Sequence, residues 1–138
     1  MYLLDSSVLI KWLRKDKRAF ELFSTLTQTE SFISEITAFE ILIGARSAQQ
    51  LESARKLLTN LERLPITSGV TEAAAKLSIK YPQIFDKKTS HTLFDAFIAA
   101  TGIVRGLEII TLNIRHFIVL KEHRLKIRIL DEKAEKWI

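Results

Sequence analysis

Short apolar runs alternate with longer amphipathic segments along the 138-residue chain. Tyr2 to Leu4 reads as a short strand. A helix begins near Ser6, where Val8, Leu9, Trp12 and Leu13 recur at helical spacing. A second helix is expected to open at Asp16, with Phe20, Phe23 and Leu26 on one face. Ser31 to Ser34 is strand-like, and Ile36 to Arg46 reads as a helix with Gly44 near its end. Gln49 to Glu62 is amphipathic through Leu51, Ala54, Leu57, Leu58 and Leu61. Leu64 to Ile66 reads as a strand, and Val70 to Tyr81 as a helix stopped by Pro82. Gln83 to Thr92 is polar and loop-like. Leu93 to Arg105 is a strongly apolar helix, expected to lie centrally and be covered on most sides. Leu107 to Thr111 is the strongest strand signal, and Lys126 to Leu130 is the last strand expected.

Strands that alternate with helices predict an α/β fold, a parallel sheet with helices on both faces. Right-handed crossovers place all the strand C-terminal ends on one edge. Ligands of such open sheets bind outside those ends. The length suits one domain over residues 1–138, and 47% apolar residues supply a core without staples.

Cysteine is absent, which excludes disulfides and thiolate metal sites and is compatible with a reducing compartment. The opening Met-Tyr-Leu-Leu-Asp-Ser-Ser has no basic region and Asp5 breaks its apolar run, so no signal peptide is expected. Leu93 to Val104 falls short of the ~20 residues of a membrane span. A cytoplasmic location is therefore expected. Net charge is +5, and its placement says more than its size. Lys11, Arg14, Lys15, Lys17 and Arg18 crowd one stretch, and Arg115, Lys121, Arg124, Lys126 and Arg128 another. Such clusters could neutralise phosphates. From charge alone a solvated helix face and a basic edge strand is the favoured reading.

Asp5 follows the first predicted strand, and Glu40 lies about a turn into the helix after the second. Asp95 lies at the start of the apolar helix, and Asn113 follows the strand Leu107 to Thr111. All four therefore come from junctions that face the ligand edge. Taken singly, each acid could be a helix cap: Asp5 as an N-cap, Glu40 in a box with Thr37, and Asp95 in the same spacing from Thr92. Against capping stands the apolar neighbourhood of all three, with no lysine or arginine next to any of them in sequence. Acids in such settings are rarely buried unpaired, and a metal ion is a natural counter-charge. Oxygen donors without cysteine favour Mg²⁺ or Mn²⁺ over Zn²⁺. His91, His116 and His123 lack the helical spacing of a zinc pair.

Other chemistries have no anchor. No dinucleotide or P-loop glycine motif and no G-x-S-x-G elbow occurs. A dehalogenase-like phosphatase would need Asp at position 7, where Ser7 stands, and no mid-chain strand end offers the Asp of a receiver domain.

Four stretches in order, Tyr2 to Ile10, Ile33 to Gly44, Asp95 to Thr101 and Ile110 to Phe117, resemble the PIN-domain ribonucleases, and among them the VapC-type toxins of toxin–antitoxin pairs. The resemblance implies a compact α/β/α sandwich and Mg²⁺- or Mn²⁺-dependent endoribonuclease activity. It further implies a VapB-like antitoxin partner that inserts a C-terminal segment into the acidic groove, and a homodimer. Asp5, Glu40 and Asp95 map onto the family's first three acids, as catalytic residues and metal ligands. Ser6 matches a position often occupied by Thr or Ser beside the first acid, and Thr111 lies in the T-x-N-x-x-H-F stretch. The fourth acidic position is where this chain departs, with Asn113 and His116 in place of Asp. Asn113 can offer a carbonyl or hold a water, but brings no charge. His116 can contact a phosphate or move a proton, or be a partly exposed turn residue; Arg115 is an RNA contact or a solvated charge. Trp12, Phe20 and Phe23 read as core or dimer packing. The alternatives are a catalytically weak PIN-like module that binds RNA or protein, and a housekeeping nuclease.

Overall fold

The computed structural model describes residues 1–17, 21, 30–123, 127–131 and 136–137. Phe20, Phe23 and Leu26, the face of the helix expected from Asp16, and the basic residues Arg18, Arg124 and Lys126 lie outside them. The elements are β1 (Tyr2–Leu4), α1 (Ser6–Leu13), β2 (Ser31–Ser34), α2 (Glu35–Ile43), α3 (Ala48–Thr59), β3 (Glu62–Leu64), α4 (Ser68–Lys80), α5 (Ser90–Arg105), β4 (Glu108–Thr111), α6 (Ile114–Phe117), a 3-10 helix (Ile118–His123), β5 (Ile127–Asp131) and β6 (Lys136–Trp137).

The strands form one sheet in the order β3-β2-β1-β4-β5-β6. The first five run parallel, and β6 returns antiparallel along β5. β1 pairs with β2 on one side and β4 on the other, so the chain winds outward from β1 in two directions. The carboxyl end of β1 is thus a topological switch point, where neighbouring connections leave on opposite faces and open a crevice.

Side chains alternate across the sheet with the period of two that a strand imposes. Leu3 and Ile109 join Phe85, Phe117, Ile98 and Ala99 in a core under α4 and α5. Leu4, Ile33 and Ile110 join Val8, Leu9, Ala38, Ile41 and Leu58 in a second core under α1, α2 and α3. The architecture is the expected α/β/α sandwich, with a fully apolar layer on each side of the sheet. No helix among the described residues is long and apolar enough to cross a membrane.

Several expectations are corrected. The expected strand Leu64 to Ile66 is displaced to Glu62–Leu64; only Leu64 of the three is buried, so the apolar signal marked the strand's end. α5 starts at Ser90 rather than Leu93. Its polar first turn gave no apolar period, and the Thr92 hydroxyl is turned back onto the Thr89 and Asp86 carbonyls. Asp95 therefore sits in the second turn, and Thr92 is no N-cap. Thr37 is no cap either: Ser34 holds that place in α2, accepting from the Ile36 N–H at 3.1 Å. The short α6, the 3-10 helix and β6 were not foreseen; all are too short to show a period.

Two helix ends use left-handed residues. Gly106, at φ 65°, closes α5 at no steric cost. At the end of α1 that conformation falls on Lys15, at φ 58°. There the Lys15 N–H donates to the Trp12 carbonyl and the Asp16 N–H to that of Lys11, the paired bonds of a Schellman turn.

Candidate active site

Asp5 leaves β1 at the switch point and caps α1, with its own N–H donating to the Ile110 carbonyl of β4. Its side chain is 2% exposed. Oδ1 accepts from the Ser6 N–H at 2.9 Å, and Oδ2 accepts from the Ser7 hydroxyl at 2.7 Å and the Thr111 hydroxyl at 2.6 Å. Burial nonetheless raises its pKa, with the hydrogen bonds from Thr111, Ser7 and Ser6 working against that rise. Thr111 and Ser7 are in turn fixed by the chain that follows β4: Asn113 N–H donates to the Thr111 hydroxyl and Leu112 N–H to that of Ser7. The carboxylate is thereby locked between the ends of β1 and β4 before any ligand arrives.

Asp95 reaches the same edge from α5. Its Oδ2 accepts from Asn113 Nδ2 at 3.2 Å and makes a short hydrogen bond with His116 Nδ1. Asn113 also caps α6 by accepting from the His116 N–H, so the α6 turn presents both residues to Asp95. Burial, and then the charge of Asp5, push Asp95 up to about 8. Burial, and then the positive charge of Arg115, pull His116 down. Both shifts favour the uncharged forms of the Asp95–His116 pair, although its geometry is that of an ion pair.

Glu40 points to this edge from α2. Burial, then Asp5, then Asp95 raise its pKa to about 7, against a hydrogen bond from the Ser6 side chain that lowers it. Its Oε1 is buried without a partner, as is the hydroxyl of Thr37 one turn earlier on the same helix. A buried carboxyl oxygen left unpaired is costly, which makes it a place for a ligand. Arg115 is exposed and touches none of the three acids. Next to the site, Phe39 and Phe94 meet edge-on with ring centroids 5.9 Å apart.

The structure thus brings Asp5, Glu40 and Asp95 within electrostatic reach of one another, with Ser6, Thr111, Asn113 and His116 bonded to them. Ser7 was missed as a site residue, although the signal was present: a hydroxyl two residues after an N-terminal Asp can fold back onto it. Among the described residues no three acidic or histidine side chains already surround one point as a ligand shell. Asp95 is engaged by His116 and Asn113. The donor set of three carboxylates suits a hard cation; Asn113 presents its amide nitrogen to Asp95 and turns its carbonyl to the His116 N–H. The unpaired Glu40 oxygen, and the elevation of Glu40 and Asp95 by burial and by Asp5, mark a place for positive charge, so these residues fit such an ion.

Comparison with known proteins agrees with this geometry. A family model of the PIN domain matches residues 2–122. The chain is 34% identical over 121 residues to ribonuclease VapC10 of Mycobacterium tuberculosis, spanning 85% of this chain and 86% of that one. Among solved structures, it is similar to a toxin–antitoxin complex from Klebsiella pneumoniae, with TM-score 0.69 and 28% identity over 85% of this chain and 90% of that chain. It also shares its fold with VapBC2 from Rickettsia felis, with TM-score 0.76 and 19% identity over 94% and 98% of the two chains.

Proposed function

The chain belongs to the PIN-domain family, and from that premise we propose that it is a divalent-metal-dependent endoribonuclease of the VapC kind, a cytoplasmic growth-arresting toxin held in check by a small antitoxin. The observation that carries the reading is a buried Glu40 oxygen without a partner, where burial and the charge of Asp5 raise both Glu40 and Asp95. The ribonuclease name of the relative at 34% identity supports the substrate. The toxin–antitoxin complex at 28% identity supports the partner.

Asp5, Glu40 and Asp95 would hold Mg²⁺ or Mn²⁺. When bound, the ion supplies charge against the phosphate oxygens and a water acidic enough to attack phosphorus. The chain's residues prepare for this. Ser7 and Thr111 hold Asp5 Oδ2 in place and leave Oδ1 with a single donor. Asn113 and His116 orient Asp95 without adding a fourth negative charge. Glu40, poised at about 7, can give up or take a proton at Oε1 near neutral pH. Asn113 acts through Asp95, and Arg115 stands ready at the rim for a phosphate. A homodimer is part of the proposal, supported by the exposed apolar Phe39 and Ile43 on α2.

The test is cleavage of structured RNA by the purified protein with Mg²⁺, Mn²⁺ or chelator. Asp5→Asn and Asp95→Asn should each lower kcat by roughly 100-fold or more. Undiminished cutting in chelator, or in these variants, would sink the mechanism. The uncharged Asn113 favours a second reading, a module that binds RNA or protein without cutting. Expression of the chain alone in a bacterial host separates the two: the nuclease arrests growth and Asp5→Ala relieves it, whereas the binding module is harmless.

A further inference from the structure

A groove of about 800 Å³ leads away from Glu40 between α1, α2 and α3. Three cations line it: Arg14 and Lys15 at the end of α1, and Arg46 between α2 and α3. Among the described residues Glu40 is the only acid on its walls. All three cations are exposed, and none has an ion-pair partner among the described residues.

Lys15 adds an independent observation. It occupies the left-handed position of the Schellman turn, where glycine fits freely and any side chain is strained. The turn's hydrogen bonds are backbone bonds and need no lysine. A strained residue whose side chain lines a cavity points to a use for that side chain. Its charge is what the groove receives.

We infer that this groove is a track for the backbone phosphates of one RNA strand flanking the scissile bond, with Arg14, Lys15 and Arg46 contacting phosphate oxygens; the inference rests on the nuclease reading above. Three cations from two segments, the end of α1 and the α2–α3 connection, suit a line of anions, and Glu40 stands where the strand would meet the metal site. α1 is about 12 Å long, so a strand entering at Lys15 reaches the carboxylates within a few nucleotides. The groove also has apolar walls, Ile10 and Leu13 among them. A protein segment is therefore the competing occupant, and the test decides against one of the two.

Binding of a short fluorescein-labelled single-stranded RNA is measured by anisotropy in chelator over a range of salt. Removing one cation that neutralises a phosphate lowers the slope of log K against log salt by about 0.7. Arg14→Gln, Lys15→Gly and Arg46→Gln together are expected to lower it by about 2, weakening binding roughly 100-fold at about 0.1 M salt. In Mn²⁺ the triple variant is expected to raise KM and leave kcat unchanged. Lys15→Gly alone relieves the turn, so it is expected to raise the melting temperature while weakening RNA binding about fivefold. That pairing excludes misfolding as the cause of the weaker binding.

An unchanged salt slope in the triple variant overturns the inference, and so does a wild-type protein that holds no RNA. Retained RNA binding with weakened affinity for a protein partner also overturns it, and assigns the groove to a peptide. A protein that binds with the full slope but never cuts RNA sinks the nuclease reading and keeps the track. One that cuts RNA with the slope unaltered by the substitutions does the reverse.

Discussion

Replacing Glu40 with glutamine should stabilise the metal-free protein while disabling it. The native carboxyl holds its proton up to about 7, whereas an unperturbed one releases it at 4.5. Between those values the folded state binds more protons than the unfolded chain, so stability falls as pH rises. At about 1.36 kcal/mol per pH unit the loss is at most about 3.4 kcal/mol. The carboxyl is partly open to water, which screens its repulsion from Asp5 and Asp95, so about half of that is realistic. Glu40→Gln cannot ionise and escapes the loss. The assay is urea unfolding of both proteins in chelator at several pH values. The variant's advantage should grow by about 1–2 kcal/mol between about pH 5 and about pH 8. Added Mn²⁺ should then stabilise the wild type more than the variant. A stability difference that is independent of pH, or one that favours the wild type more as pH rises, would refute the reasoning.

Two further outcomes follow from the same geometry. Thr111→Val removes the 2.6 Å donor to Asp5 and the acceptor for the Asn113 N–H; it should cost about 1–3 kcal/mol in denaturant unfolding and weaken Mn²⁺ binding in calorimetry. Lys15→Gly should stabilise the fold by about 1 kcal/mol, since only the left-handed conformation is relieved; a destabilised variant would mean that the lysine stem packs more than its exposure suggests.

The fold was legible because its signals are local. Leu3-Leu4 and Ile109-Ile110 read as strands, and each pair feeds the two cores in turn. Asp5, Glu40 and Asp95 were legible as a set because each lies just beyond a predicted strand or near a helix start. Their supposed capping partners were not: Ser34 pre-empted Thr37, and the earlier start of α5 carried Asp95 away from the helix end. Those outcomes depend on where the sheet releases the chain, which no three-residue spacing records. The partner of His116 was hidden for a similar reason, since it lies across the switch point on α5. The bonds that tie Ser7 to residues 111–112 cross that point as well, whereas the bond of Ser7 to Asp5 is local. The cationic residues of α1 were visible as a cluster, but only the fold sets Arg46 against them.

The central claim is that Asp5, Glu40 and Asp95 form one cation site, in which Glu40 and Asp95 hold their protons more tightly than free carboxyls do. It is tested most directly by counting the protons released when Mn²⁺ binds, by calorimetry in buffers of different ionisation heat at about pH 7. With Glu40 at about 7 and Asp95 at about 8, the wild type should release about one to two protons per ion, and Glu40→Gln fewer. Binding without proton release, or with release unaltered in both Glu40→Gln and Asp95→Asn, would contradict the account.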